Sequence, residues 1–389
     1  MSKKKKKISY KKRKIIEKRN TILSAAAVTV IIFTVSLFTL MTGDREYSDN
    51  ENRYLAQKPE FNIGSVADGR FMKDGEEYLS DQFFARDAMV RMRTGVDVLF
   101  GKRESNGVYI GKDGFLFNKP SAYDKKRVKL TTDAINSISE LSTSIRSYIA
   151  IAPNSVEILS DLLPSFAPTQ NQTKQIEKVY SKLDNIQKID LCTPLKAAKD
   201  PRALYYKTDH HWTADAAEIA FNAISREMKL DTSGYKYKKL AVTDSFRGTM
   251  ASSSGVFSSQ DTIRITVPEP QVKYVVRYPD DNKKRASLFD SEKLEKGSKY
   301  EVFFSGNFPE IQIETAARSD KTLMVIKDSY ANCVVPMLIP YFKTIIMIDP
   351  RYYADNISQT IEKNNVTDIL WLYNADTFLK DTSIADKFS

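Results

Sequence analysis

The 389-residue chain is basic overall, with 59 Lys and Arg against 49 Asp and Glu and a formal net charge of +10. Residues 1–20 account for all of it, because they contain eleven Lys or Arg and one acid, Glu17. The remaining chain is neutral, which argues against nucleic acid as a partner of the folded part. Two cysteines without a CxxC spacing exclude a disulfide framework and a cysteine-based zinc site.

An uncharged apolar segment, Thr21–Met41, follows the basic tail. About 20 apolar residues span a bilayer core, and the positive flank is expected in the cytoplasm. We therefore predict a basic cytoplasmic tail at residues 1–20 and a signal-anchor at residues 21–42. A cleaved signal peptide is the alternative, although its apolar region usually has about 7–15 residues before a small-x-small site.

Residues 43–125 are predicted to form a juxtamembrane segment and a β-hairpin. Apolar side chains recur at helical spacing between residues 71 and 100. The segment Gly107–Phe117 predicts the hairpin, with Asp113-Gly114 at its turn.

Residues 126–389 alternate between helical and strand patterns and are predicted to form one α/β domain. Continuous apolar segments are typical of parallel strands that are covered on both faces, so the expected fold is α/β with a parallel sheet flanked by helices. A β-rich insertion is expected at about residues 235–318, with antiparallel strands at 262–267 and 272–277. The predicted helices are 130–147, 174–186 and 214–228, and the other predicted strands are 147–152, 189–191, 322–326, 344–348 and 369–373.

The two histidines of the chain, His210 and His211, are adjacent. Histidine is the usual general base near neutral pH, and Asp209 could orient one imidazole. Ser329 follows the predicted strand 322–326, at the sheet edge where α/β folds bind ligands. Asp209, His211 and Ser329 therefore have the side chains of a hydrolase-type triad. A helix starting at Ser329 would offer free N–H groups to an oxyanion.

Structural roles for the same residues are the alternatives. Asp328 and Ser329 could cap a helix, and the two histidines could be structural. A metal site is not expected, because adjacent histidines point in different directions and no third histidine exists. We expect no other cofactor. Trp212 is expected to pack in the core or to stack on a sugar.

The segment Thr208–Thr213 resembles the signature of the DHHW protein family, which is similar to alginate O-acetyltransferases with an SGNH-hydrolase-like domain. The resemblance extends to weaker motifs over most of residues 47–375: Tyr78–Phe84 with Arg86-Asp87, the 107–117 hairpin, and Phe246–Gly248 with Ser254-Gly255.

The resemblance implies an SGNH-hydrolase-like domain in which Asp209 and His211, not His210, activate Ser329 as the nucleophile. Lys327-Asp328 replace the glycine that usually precedes this serine. The candidates for substrate binding or oxyanion stabilisation are Tyr330, Asn332, Asn154, Trp212 and Arg247.

The resemblance also implies a reaction, in which an acyl group, most often acetyl, moves through an acyl-Ser329 intermediate to a hydroxyl of an exported polysaccharide or cell-wall glycan. The expected donor partner is a membrane-bound O-acyltransferase, and the catalytic domain is expected outside the cell membrane. Two alternatives are an esterase with the same triad, since transfer and hydrolysis differ in the acceptor, and a non-catalytic scaffolding subunit.

Overall fold

The structure, a computed structural model, describes residues 10–48, 53–140, 144–295 and 297–388. The described strands are β1 (Tyr47–Ser48), β2 (Arg53–Tyr54), β3 (Glu104–Ser105), β4 (Val108–Ile110), β5 (Leu116–Asn118), β6 (Arg146–Ala152), β7 (Gln187–Ile189), β8 (Lys236–Phe246), β9 (Asp261–Glu269), β10 (Tyr274–Tyr278), β11 (Lys283–Arg285), β12 (Glu310–Thr315), β13 (Thr322–Lys327), β14 (Thr344–Ile348) and β15 (Asp368–Asn374). The described helices are α1 (Tyr10–Met41), α2 (Ile63–Ala67), α3 (Arg70–Gln82), α4 (Arg86–Leu99), α5 (Lys125–Glu140), α6 (Ser155–Ile158), α7 (Gln172–Tyr180), α8 (Cys192–Lys196), α9 (Ala214–Glu227), α10 (Thr249–Ser254), α11 (Val335–Leu338), α12 (Ile357–Lys363), α13 (Ala375–Lys380) and α14 (Ser383–Phe388).

The chain divides into two compact units: residues 1–48 with 54–92, and residues 49–53 with 93–389. In the first unit, α1 is long and apolar enough over Lys14–Met41 to cross a membrane, and this stretch is not buried by protein. Residues 1–9 of the predicted basic tail lie outside the described residues. The helical pattern predicted for residues 71–100 is confirmed as α3 and α4, which a break near Ala85 (φ 62°) separates.

The second unit is built on an eight-stranded sheet with the order β11-β10-β12-β14-β13-β15-β6-β7. The five strands from β14 to β7 are parallel, whereas β12, β10 and β11 extend the sheet as antiparallel strands. The predicted parallel α/β sheet is therefore confirmed.

Strand β13 lies in the middle of this sheet, and all six of its residues are buried. Leu323 and Val325 face one hydrophobic core, which α9 and α11 complete. Met324 and Ile326 face a second core, which α5, α7, α12, α13 and α14 complete. Successive side chains of a strand point to opposite faces, so a continuous apolar segment is what a strand between two helical layers requires.

The predicted hairpin at residues 107–117 is confirmed as the antiparallel pair β4–β5, with a short turn at Lys112–Gly114. The predicted helix 130–147 is wrong at its C-terminal end, because Arg146 already belongs to β6. Helix α7 likewise ends at Tyr180, before the predicted 186.

Strands β8 to β12 all lie within residues 235–318, where a β-rich insertion was predicted, and they belong to two different sheets. Strand β9 pairs with β8 in a separate two-stranded sheet, while β10 pairs with β11 and β12 in the main sheet. The strands on either side of Pro268–Pro270 are thus not partners. The buried Ile311 and Ile313 of β12 continue the hydrophobic surface of β14, which explains why this part joins the main sheet.

Candidate active site

Ser329 lies at the carboxyl edge of the main sheet, directly after β13. Ile326 is paired with Ile348 of β14 on one side and with Trp371 of β15 on the other. The chain then leaves the sheet at Asp328 and begins a 3₁₀ turn at Ser329. A central parallel strand thus presents the serine where α/β folds place their ligands.

The side chains of Ser329, His211 and Asp209 form a continuous hydrogen-bonded relay. His211 Nε2 lies 2.7 Å from Ser329 Oγ, and His211 Nδ1 lies 2.5 Å from Asp209 Oδ1. Because a carboxylate only accepts, Nδ1 carries the imidazole proton and Nε2 accepts from the serine hydroxyl. All three residues are buried, so little water competes for these bonds.

Asp209 is held by donors on both of its oxygens. The His211 backbone N–H donates to Oδ1 at 3.0 Å, and the Thr249 N–H and hydroxyl donate to Oδ2 at 2.8 and 3.0 Å. Burial raises the pKa of Asp209, but the electrostatic interaction with His210 and His211 and these hydrogen bonds outweigh it, so its pKa lies well below the ordinary value. Asp209 is therefore an ionised carboxylate that fixes the imidazole.

The close approach of Asp209 to the chain at Gly248 explains the glycine in the Phe246–Gly248 motif. A Cβ atom at Gly248 would lie 2.1 Å from the Cβ of Asp209 and 2.2 Å from its Oδ2. These distances are far shorter than any van der Waals contact. Any side chain at position 248 would therefore displace the carboxylate.

Two aromatic rings cover the faces of the His211 imidazole. The Tyr300 ring stacks at a centroid distance of 3.7 Å and an interplanar angle of 13°, and the His210 ring lies at 3.9 Å and 36°. Two rings this close cannot share one face of an imidazole, so they lie on opposite faces. Tyr300 is itself buried, in the 3₁₀ turn Lys299–Val302. The imidazole is thus held in one plane, with its nitrogens directed at Asp209 and Ser329.

The environment of His211 favours its neutral form. Burial and the charge of His210 lower the pKa of His211 to about 4, against the opposing effect of Asp209. Arg351 lowers this pKa further. A neutral imidazole accepts a proton, so His211 is ready to act as a base at neutral pH.

The turn after β13 differs from the helix N-terminus that was expected to bind an oxyanion. It is a five-residue 3₁₀ segment, and Asp328 Oδ1 accepts the Tyr330 N–H at 2.9 Å. The Ala331 N–H donates to the Asp328 carbonyl. Within the described residues the Ser329 N–H forms no hydrogen bond, and it is therefore one backbone donor available beside Oγ.

Three of the predicted substrate-binding or oxyanion candidates are occupied by structural contacts. Asn154 uses its amide protons on the Tyr330 hydroxyl and on Asn374, which leaves neither of them for an oxyanion in this arrangement. Tyr330 is fully buried, and its hydroxyl donates to the His210 carbonyl at 2.5 Å. The Trp212 ring is fully buried and its Nε1–H donates to the Tyr330 carbonyl at 3.0 Å, which supports the packing role expected for it.

The remaining two candidates keep unused polar atoms. Asn332 is buried, and its amide donates to Asn307 Oδ1 at 3.3 Å while its own Oδ1 has no partner among the described residues. Arg247 is partly buried, and its Nε has no partner among the described residues either. Such orphaned atoms are rare in native proteins, which keeps both residues as candidates for contacting a substrate.

Tyr300, Thr249 and Arg351 were not among the predicted site residues. Tyr300 and Thr249 carried no recognisable local signal, because each reaches the site only through the packing of distant segments. Arg351 could have been found, since Asp349-Pro350-Arg351 follows β14 as Asp328-Ser329 follows β13. It is held by Asp349 through bonds of 2.8 and 2.6 Å and is partly exposed.

Asp209, His210 and His211 also form a group whose ligand atoms lie within 4.8 Å of one another. Both nitrogens of His211 already serve Asp209 and Ser329. The same atoms cannot bind a metal ion and maintain the relay. The expectation of a metal-free site stays a prediction.

The fold and this arrangement define an SGNH-hydrolase-like domain. Residues 108–296, which include Asp209 and His211, match the family described as the SGNH hydrolase-like domain of the acetyltransferase AlgX. The predicted resemblance to DHHW proteins and alginate O-acetyltransferases is therefore confirmed.

Proteins from several bacteria are similar to this chain. A probable alginate O-acetylase AlgJ of Pseudomonas fluorescens is 22% identical over 171 residues, which are 42% of this chain and 43% of the length of that relative. A DHHW family protein from Eubacterium siraeum shares the fold, with 23% identity, a TM-score of 0.62 and coverage of 72% of this chain and 95% of that chain. Bacillus cereus PatB1, solved with a sulfonyl adduct, shares the fold with 23% identity and a TM-score of 0.61. The match covers 72% of this chain and 98% of that chain.

Proposed function

We propose that the chain is a membrane-anchored O-acetyltransferase that acetylates hydroxyl groups of an exported polysaccharide or cell-surface glycan. The observation that carries the proposal is the buried relay from Asp209 through His211 to Ser329 Oγ. The match to an acetyltransferase family supports acetyl as the group transferred. The relative described as a probable alginate O-acetylase supports a polysaccharide as the acceptor.

The first half-reaction forms an acetyl-serine. His211 Nε2 takes the hydroxyl proton as Ser329 Oγ attacks the carbonyl carbon of the acetyl donor. The Ser329 N–H is positioned to donate to the oxyanion that develops. When the tetrahedral intermediate collapses, the bond to the donor oxygen breaks, and that oxygen receives the proton from His211.

The second half-reaction transfers the acetyl group to the acceptor. His211, neutral again, takes the proton of an acceptor hydroxyl, whose oxygen attacks the acetyl carbonyl. The bond to Ser329 Oγ then breaks, and Oγ regains a proton from His211. Asp209 stays ionised in both halves and stabilises the imidazolium that forms transiently.

The proposed function also requires a particular membrane topology of the chain. Residues 1–20 are a cytoplasmic tail, residues 21–42 an anchor, residues 43–125 a juxtamembrane segment and residues 126–389 the catalytic domain outside the membrane. Helix α1 supports the anchor. A membrane-bound O-acyltransferase is the proposed donor partner, because an acetyl group of cytoplasmic origin must cross the membrane to reach Ser329. Protease added to intact protoplasts should digest the catalytic domain, and full protection would contradict this topology.

The covalent mechanism is tested with an activated ester. With p-nitrophenyl acetate, the wild-type protein should gain one acetyl mass on the peptide that contains Ser329, and Ser329→Ala should gain none. Cells with Ser329→Ala should produce unacetylated polymer. A label elsewhere, or normal acetylation in the variant cells, would overturn the proposal and favour a scaffolding subunit.

The acceptor distinguishes the transferase from an esterase with the same triad. Acetyl-Ser329 should transfer its acetyl group to an added glycan faster than to water. Free acetate as the sole product across all glycans that the producing cell exports would favour the esterase.

A further inference from the structure

The first unit carries large apolar side chains on its surface outside α1. Met72 is 69% exposed, Leu79 60% and Met92 67%, and Phe84 and Met89 are each 42% exposed. Single exposed apolar residues are common, but several of them on two consecutive helices are typical of an interaction site. We name these five residues the apolar surface of α3 and α4.

Helical spacing arranges this surface on α3. Met72 and Leu79 are seven residues apart and so lie on the same face of the helix. Phe71 and Tyr78 are partly buried and lie on a neighbouring face. Helix α3 thus packs one apolar face against the rest of the first unit and leaves a second apolar face exposed.

The junction between α3 and α4 contacts the end of α1 directly. The Phe84 N–H donates to Thr39 Oγ1 at 2.9 Å, and the Phe84 ring stacks on Phe38 at a centroid distance of 5.1 Å. Phe38 and Thr39 belong to the last turn of α1, which ends at Met41. The exposed apolar residues therefore begin at the level where the membrane-spanning helix ends.

Polar contacts fasten α3 to the segment that follows α1. The Arg45 N–H donates to Gln82 Oε1 at 3.0 Å, and Gln82 Nε2 donates to the Arg45 carbonyl at 2.8 Å. The Tyr78 hydroxyl donates to Asp44 Oδ1 at 2.9 Å. Gln82 is buried, so these bonds are shielded from water. The position of α3 relative to the end of α1 is thus fixed.

We propose that the apolar surface of α3 and α4 lies in the interfacial layer of the bilayer that α1 spans. Apolar side chains fixed at the end of a spanning helix meet lipid headgroups and the upper acyl chains, where amphipathic helices insert by about 5–10 Å. Aromatic and apolar residues at this level anchor a protein in the interface. The inference rests on α1 spanning the membrane and does not depend on the chemistry at Ser329.

The test measures lipid contact in the full-length chain reconstituted into phosphatidylcholine vesicles. Single cysteines at Met72, Leu79 or Met92 are labelled with a small fluorophore, and quenching is compared between brominated lipid and aqueous iodide. Glu77→Cys is the matched control, because Glu77 is exposed on the same helix about 160° away from Leu79. The native Cys192 and Cys333 are buried, and the unsubstituted chain measures their background.

The expected result is strong quenching by brominated lipid at positions 72, 79 and 92 and quenching by iodide alone at Glu77→Cys. Iodide quenching without lipid quenching at position 79 would overturn the proposal. If such a label then became shielded from iodide only in native membranes, a protein partner would be the occupant. A label at Ile32→Cys in α1 reports insertion of the span itself, so failure of the anchor is distinguished from failure of the interfacial contact.

Discussion

The parallel half of the main sheet and the β-rich region of the second unit contribute different parts of the candidate site. The parallel half presents Ser329, whose position follows from the end of a regular buried strand. The β-rich region provides Gly248, Thr249 and Tyr300, which lie in turns and short helices and surround the base and its aspartate. The nucleophile is thus placed by a regular scaffold, whereas the environment of the base depends on irregular segments that are distant in sequence.

The largest expected effect tests the relay itself. Ser329→Ala and His211→Ala should each lower kcat/KM for p-nitrophenyl acetate by on the order of 10⁴-fold, because each removes a member of a triad. The double variant should be no worse than either single variant, since residues that act as a unit are not additive. Additive losses in folded proteins would contradict the relay.

A smaller loss of kcat/KM is expected for a substitution in the β-rich region, at Gly248. Gly248→Ala introduces a Cβ that clashes with Asp209 and should cost about 10²-fold in kcat/KM, as expected for a misplaced catalytic group. Gly234→Ala is the control, because no atom lies within 4 Å of a Cβ at that exposed position. Equal activity of the two variants would show that Asp209 tolerates displacement.

Loss of the Tyr300 ring that stacks on His211 should lower kcat/KM by up to about tenfold. An aromatic pair contributes about 0.5–1.5 kcal/mol beyond its buried area, so Tyr300→Leu should lower kcat/KM up to about tenfold. Tyr300→Phe keeps the ring and should stay close to wild type. Because the loss of the covering ring admits water, Tyr300→Leu should also raise the pKa read from the acid limb of the pH profile. Identical profiles for both variants would assign Tyr300 a purely structural role.

The smallest effect is expected at His210. Since His211 acts as a neutral base, wild-type kcat/KM should fall only as the pH drops through about 4, the pKa of His211. The electrostatic interaction with His210 lowers that pKa, so His210→Gln should move the acid limb to higher pH and change the rate at neutral pH by less than about threefold. A loss as large as that of His211→Ala would contradict the assignment of the base.

The sequence was sufficient for the features that depend on local pattern. The apolar strands before Ser329, the capped helix after Thr213 and the Asp209–His211 spacing are all local, and the structure brings their side chains together. It was insufficient where the outcome depends on tertiary contacts. Asn154 became saturated by Tyr330 and Asn374, Trp212 became buried, and Tyr300 reached His211 across 89 positions of the chain.

The stacking around His211 also determines which histidine a chemical reagent can reach. The His211 side chain is 7% exposed, its faces are covered by Tyr300 and His210, and its nitrogens are engaged, whereas the His210 side chain is 30% exposed. Diethyl pyrocarbonate attacks an accessible, unprotonated ring nitrogen and would therefore carbethoxylate His210 first. The added group would lie beside the His211 ring, which is 3.9 Å from the ring of His210, so inactivation by this reagent would report an obstructed site and not a modified base.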